Sequence, residues 1–322
     1  MVGPPARGGA RRLAGLVLPG AVLLALAVAS LVVGVGDLTG QGTELLLASR
    51  IPRTLALILA GAGMAVAGII MQLIAQNRFV EPSTAGTVES ATLGMLLVTL
   101  LAPGAPVVVK MLAATATALA GTALFLRVLR AMPLRARLTV PLVGIMLGGV
   151  VEAASTFIAY RTDMLQFLGT WRAGDFSTVL RGRYELLWLA AALTLLAYLM
   201  AERFTIAGLG RDASVNLGLD YRRVVALAIA IVSMITAVTI STVGTIPFLG
   251  LVVPNLVTLV AGDNLRRTLP LVAVSGAGLL LACDVLGRLV RYPYEIPVGT
   301  TMGVVGSALF LTLLLRRDAR RA

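Results

Sequence analysis

The chain has 322 residues, of which 58% are hydrophobic and 13% charged, where soluble domains average about 25% charged. That composition excludes a water-soluble globular fold and indicates one integral membrane domain spanning 1–322. The formal net charge is +12, but the basic residues sit in short segments between apolar runs, which excludes a nucleic-acid stripe and leaves membrane lipid as the surrounding partner.

A hydrocarbon core of about 30 Å needs about 20 helical residues. The first apolar run, 13–33, follows Arg7, Arg11 and Arg12. It exceeds the roughly 7–15 residues of a signal-peptide core, so it reads as a retained first transmembrane helix behind a cytoplasmic tail, 1–12. Further runs follow at 51–75, 86–102, 105–126, 138–160, 184–201, 224–243, 245–261, 268–288 and 299–315. The expected fold is all-α, a polytopic membrane protein with about ten transmembrane helices. The stretch 224–261 spans about 38 residues, or about 57 Å as a helix, too long for one crossing. Its only break is "VGTIP" at 243–247, so two spans should meet there. Pro247 is expected in the first turn of the later helix. Pro254 is expected to kink that helix or to mark an unwound stretch. With the N-terminus inside, eighteen of the 27 basic residues fall in cytoplasmic segments, a bias that puts both termini, including the tail 316–322, in the cytoplasm.

Catalytic chemistry is sparse. There is no histidine, which removes the commonest general base and metal ligand. Cys283 is the single cysteine, so no internal disulfide can form. Lys110 is the only lysine and follows "PVVV", so no P-loop exists. The expectation is a non-catalytic chain that binds no metal or cofactor of its own.

Several polar features remain as candidates, because charges within membrane segments are costly. Glu152 lies midway along the fifth span and Glu89 near the start of the third. Glu152 reads equally as an interhelical hydrogen-bonding group or a cavity-facing one. Asp284 and Arg288, four apart, are placed for an ion pair. Gly144–Gly148 and Gly299–Gly303 form GxxxG pairs, for which close helix packing is the first reading and a dimer seam or pore lining the second. "RIPR" at 50–53 puts two arginines on the translocated side, against the usual tendency, and suggests an acidic partner. The segment 203–224, "RFTIAGLGRDASVNLGLDYRRV", has the composition of short amphipathic helices broken by glycine, and reads as a docking surface for a cytoplasmic partner.

Four stretches in order carry a resemblance. "RIPRTLALILAGAGMAVAGIIMQLIAQNRFVEPSTAGT" (50–87), "GLGRDASVNLGLDYRRV" (208–224), "PFLGLVVPNLVTLVAGDNLRRTLP" (247–270) and "CDVLGRLVRYPYEIPVGTTMGVVGSALFLTLLLRR" (283–317) resemble the permease subunits of bacterial iron–siderophore and cobalamin ABC importers. The resemblance implies ten spans in the plasma (inner) membrane and a second permease subunit, identical or related. It also implies two cytoplasmic ABC ATPases that carry ATP and Mg, and an extracytoplasmic siderophore-binding protein. Many members have Pro-His where this chain has Pro254-Asn255; Asn255, "CDVLGR" and "YPYEIPVG" look most like the branch that imports ferric catecholate-type siderophores. Carried over residue by residue, the resemblance makes 203–223 the coupling segment, with Gly210, Arg211, Asp212, Asn216 and Gly218 against the ATPase. Arg50, Arg53 and Arg288 become exposed docking positions for acidic residues of the binding protein. Gly299, Thr300, Thr301, Gly303 and Ser307 become a small, neutral pathway lining. The rival readings are an ion-driven secondary transporter and the same importer carrying cobalamin or haem. Against the ion-driven transporter stand the missing series of membrane acids and the structured 203–224 connector.

Overall fold

A computed structural model describes residues 8–33, 44, 46–131, 139–182, 184–262 and 264–318. Among them the secondary structure is helical throughout. In chain order the helices are α1 (Gly8–Val32), α2 (Ile51–Ile74), α3 (Thr87–Leu101), α4 (Val107–Ala131), α5 (Thr139–Arg161), α6 (Leu165–Ala173), α7 (Leu187–Leu199), α8 (Ala201–Ala207), α9 (Arg211–Asn216), α10 (Tyr221–Val243), α11 (Leu249–Ala261), α12 (Leu265–Val290) and α13 (Val298–Asp318). A π-helical turn, Leu46–Arg50, leads into α2, and a 3-10 turn, Pro82–Ala85, precedes α3.

Each apolar run of the sequence carries a helix. Six stretches are long and apolar enough to cross a membrane: α2 with its leading turn, α4, α5, α10, α12 and α13. α7 and α8 pass that test as a pair bent by 66°, and the apolar part of α1 (Val17–Val32), α3 and α11 are shorter. The run expected at 184–201 is carried by α7 and is continued, beyond a bend at Met200, by α8. The short helix α6 had no counterpart among the expected elements.

α2 is the axis of the bundle, packed against α7, α10, α11 and α12. Small residues make this possible. A Cβ added at Gly61 would stand 2.7 Å from the Gly276 carbonyl oxygen of α12, and one at Gly68 would stand 2.0 Å from the Gly250 oxygen of α11. Backbones that approach this closely gain van der Waals contact that lipid cannot supply, since lipid tails are as apolar as leucine.

α11 departs from expectation at both prolines. Pro247 lies outside the helix, because the chain turns through Phe248 in a left-handed conformation (φ 62°) before α11 begins at Leu249. Pro254 sits inside α11, yet the helix continues through it. A proline removes the hydrogen bond to the carbonyl four residues back, here that of Gly250. Gln72 of α2 replaces the missing donor: its amide Nε2 donates to the Gly250 oxygen at 3.2 Å. The same side chain is buried. The close approach at Gly68 brings α2 near enough for this bond.

The exchange of donors is testable by a double-mutant cycle. Gln72→Leu is expected to cost about 1 kcal/mol, as interhelical hydrogen bonds in membranes do. In a Pro254→Ala background the backbone N–H returns, and the same Gln72→Leu change should cost close to nothing. Unfolding in mixed micelles measures both. Equal costs in the two backgrounds would show that Gln72 does not serve the proline.

Candidate functional site

Charged and hydroxyl side chains gather at the end of the bundle where α1 stops and α2 starts. Arg53, in the first turn of α2, donates to Asp284 Oδ1 of α12 through Nε (3.1 Å) and Nη2 (2.6 Å), and through Nη1 to Glu295 Oε2 (2.7 Å). Arg288, one turn beyond Asp284, pairs with the other Asp284 oxygen. Arg288 also donates to the carbonyls of Ser30 (2.9 Å) and Val33 (2.7 Å), while Arg50 donates to those of Leu31 (2.7 Å) and Val32 (3.2 Å). The last carbonyls of a helix lack internal partners and carry the negative end of its dipole. Two arginines therefore close the C-terminal end of α1, and a Ser30–Thr54 hydroxyl bond (3.1 Å) fastens α1 to α2 beside them.

This corrects the expectation that the three arginines stand exposed. Arg50, Arg53 and Arg288 are 7%, 8% and 5% exposed, and Asp284 is 1%. The Asp284–Arg288 pair expected from spacing is present, but Arg53 shares the same acid. Reversing Arg50 and Arg53 to glutamate would unmake the packing of α1 as well as any contact outside, so that variant cannot isolate docking. Removing one member of a buried pair strands the other. Asp284→Asn is accordingly expected to destabilise the protein by about 3–5 kcal/mol, read as a fall in melting temperature in detergent. An unchanged melt would show that Asp284 carries no such burden.

A second group of residues sits where the 224–261 stretch breaks. Thr245 N–H donates to the Trp171 carbonyl (2.9 Å), Thr245 Oγ1 to that of Arg172 (2.9 Å), and Gly299 N–H to that of Gly174 (2.9 Å). The break, the end of α6 and the start of α13 are thus stitched together. Gly174 and Gly244 hold positive φ of 61° and 84°, which few other residues adopt. A Cβ at Gly299 would lie 2.5 Å from the Ala173 oxygen. The expected pathway set therefore divides. Gly299 is buried in this junction, Thr300 is exposed, and Thr301, Gly303 and Ser307 are half-buried. The other GxxxG pair is also internal: a Cβ at Gly144 would meet the Thr84 oxygen at 1.9 Å, and one at Gly148 the Glu89 carboxylate at 3.3 Å. Close packing is what Gly144, Gly148 and Gly299 do, while a Cβ at Gly303 would meet only Pro247 at an ordinary 3.7 Å.

Beside this junction lies a cavity of about 220 Å³ lined by Ser83, Glu89, Glu152, Arg172 and Thr245, among others. Glu152 lines it and also pairs with Arg172 of α6 at 3.2 Å, so it both faces a cavity and bonds a neighbouring helix. Glu81 lies in the linker before the 3-10 turn and is 1% exposed. It accepts from Ser83 Oγ (2.5 Å) and from the Phe248 N–H (3.0 Å) at the start of α11. Burial pushes its carboxyl up to about 7, while Ser83 and the N–H groups of Phe248, Leu251 and Gly250 pull the other way. Glu81 thus occupies the N-terminal end of α11, where a negative group suits the helix dipole.

At the other end of α2, Gln76 Nε2 donates to the Gly208 carbonyl (3.2 Å) and anchors the 203–224 segment. The segment forms the tail of α8 and all of α9, with positive φ at Gly210 (97°) and Gly218 (78°). Ser214 is fully buried, and its Oγ donates to the carbonyls of Ile206 (2.8 Å) and Gly210 (2.6 Å), fixing α9 against α8. Arg211, Asp212 and Asn216 are exposed, beside exposed Leu209, Val215 and Leu217. The segment is thus ordered into short helices, as its composition predicts, and presents these side chains at its surface. Gln72, Glu81, Arg172, Ser214 and Glu295 went unmarked in the sequence, although a lone amide or acid in or beside an apolar run is itself a signal.

These features define an all-helical, multi-pass membrane protein with a polar cluster at one end, a broken apolar hairpin within, and an ordered amphipathic segment at the other end. Residues 16–316 match the FecCD transport family, and the chain belongs to it. Petrobactin import system permease protein YclN of Bacillus subtilis is 47% identical over 306 residues, covering 92% of this chain and 97% of that protein. Petrobactin import system permease protein FatD of Bacillus anthracis is 45% identical over 302 residues, covering 93% and 90%. The ferric-anguibactin transport system permease protein FatD of Vibrio anguillarum is 44% identical over 271 residues, covering 84% and 86%. The fold matches an inward-facing metal-chelate type ABC transporter with TM-score 0.80 over 94% of this chain and 98% of that one, at 22% identity.

Proposed function

We propose that this chain is the transmembrane permease subunit of an ATP-binding-cassette importer that carries a ferric siderophore across the bacterial plasma membrane. The observation that carries the reading is the 47% identity to a petrobactin import permease over 92% of the chain. Six helices, or seven spans with the bent pair, are long and apolar enough to cross; taking the three shorter apolar helices as crossings too makes ten. An even number puts both termini on one side, and the arginine bias makes that side the cytoplasm. The Arg53 cluster then faces outward, and the α8–α9 segment faces the cytoplasm.

ATP and Mg belong to two partner ATPases. Gly210, Arg211, Asp212, Asn216 and Gly218 form the contact that receives their motion. A second permease subunit lies against the apolar faces of α5 and α13, where Met146, Val150, Val304 and Leu311 are exposed among the described residues. Thr300, Thr301, Gly303 and Ser307 lie along the pathway there, and Glu152 and Arg172 add charge to a lining expected to be neutral. The binding protein docks on the outer cluster. Arg50 and Arg288 are engaged with α1, so the contact falls to Arg53 and its rim, and docking should weaken as salt rises.

Copurification of an ATPase and a binding protein with the tagged chain, followed by uptake of radiolabelled ferric siderophore into proteoliposomes supplied with ATP, tests the reading. Uptake driven by a proton gradient with this chain alone would overturn it. Among the described residues a Cβ at Gly218 has nothing within 4 Å, so a substitution there leaves this chain's own packing intact and acts through the backbone and the ATPase contact. Holding an L-residue at its positive φ costs about 1–2 kcal/mol. Gly218→Val is therefore expected to lower transport per ATP hydrolysed by about tenfold while the protein still assembles. Unchanged coupling would remove Gly218 from the contact.

A further inference from the structure

Arg53 holds two carboxylates of different standing. The Asp284 side chain is wholly buried on α12, while the Glu295 side chain is 31% exposed. Glu295 belongs to the non-helical strap 291–297 that joins α12 to α13. Tyr292 and Tyr294 of the strap are exposed, at 63% and 71%. Ile296 N–H donates to the Gly287 carbonyl (3.2 Å). Two residues past the strap, Gly299 is stitched to Gly174.

We propose that Glu295 is an internal placeholder for a partner's carboxylate, and that exchange of one for the other at Arg53 unlatches the strap. The proposal rests on the docking of a binding protein at the outer cluster. Asp284 keeps the guanidinium oriented throughout, so Nη1 is presented in one direction whichever acid it holds. Exchange conserves the charge of the cluster. No buried cation is left unpaired at any stage, which would be the costly alternative. Glu295 is already at the rim and is released into water, where a carboxylate is well solvated. The fitting partner is an acidic protein surface with apolar area enough to cover Tyr292 and Tyr294. Once untied, the strap no longer holds the first turn of α13 from above. The junction of Gly299 with Gly174 and Thr245 is then free to part. Docking outside would thus reach the broken hairpin through a single ion pair.

The test uses the full transporter complex in nanodiscs and the binding protein that copurifies with it. Cys283 is the chain's only cysteine and is buried, so Tyr294→Cys adds one reactive thiol on the strap. Glu295→Gln is expected to raise the labelling rate at position 294 without the binding protein. It should also tighten docking by about threefold, because the internal competitor is gone. In the Glu295-containing complex, docking itself should raise labelling at Val298→Cys, buried in the first turn of α13 and outside the partner's cover; unchanged labelling there overturns the unlatching. Docking that is unchanged or weakened by Glu295→Gln overturns the exchange while leaving docking at this face intact. A wild-type complex that binds no such protein overturns the docking reading and the exchange together.

Discussion

A helix that ends or bends within a packed membrane bundle leaves backbone groups that water does not reach, and each must find a partner within the protein. In this chain polar side chains answer those groups at three places. Arg50 and Arg288 take the last carbonyls of α1. Gln72 takes the carbonyl released by Pro254. Glu81 takes an N–H at the start of α11. Helices that are too short or too bent to satisfy themselves can therefore sit in the bundle, and the broken hairpin between α10 and α11 rests on them.

The same economy explains which parts of the structure were readable from sequence. Spans are legible because crossing a bilayer fixes a length, and every apolar run carries a helix. The bend at Met200 and the nine-residue α6 were not, because neither is set by local hydropathy. The glycine-punctuated 203–224 segment was legible because its breaks need positive φ, which glycine supplies. The arginines were misjudged in exposure. Sequence shows that Arg50 and Arg288 are charged, and places Arg288 near Asp284. It does not show that α1 ends beside them, with Ser30 lying 258 positions from Arg288. Gln72 was readable in principle: a proline in a span asks for a donor, and an amide in the neighbouring span can provide one.

The GxxxG pairs show how one motif serves two distances. Gly144 and Gly148 let α5 seat the 3-10 turn and the first turn of α3, while Gly299 closes the knot with Gly174. Small residues here bring backbones together inside the subunit. The faces left over on α5 and α13 are large and apolar, with Met146, Phe157 and Val304 exposed. Packing within the chain and the surface offered outside it are thus written on opposite sides of the same helices.

The closure of α1 also orders events during synthesis. α1 leaves the ribosome well before Arg288, which takes the Ser30 and Val33 carbonyls. Until then Arg50 and the Ser30–Thr54 hydroxyl bond, both from the early part of the chain, hold its final turn. The bundle is thus tied across 258 positions, from α1 to α12, and that tie forms after α12 has been made.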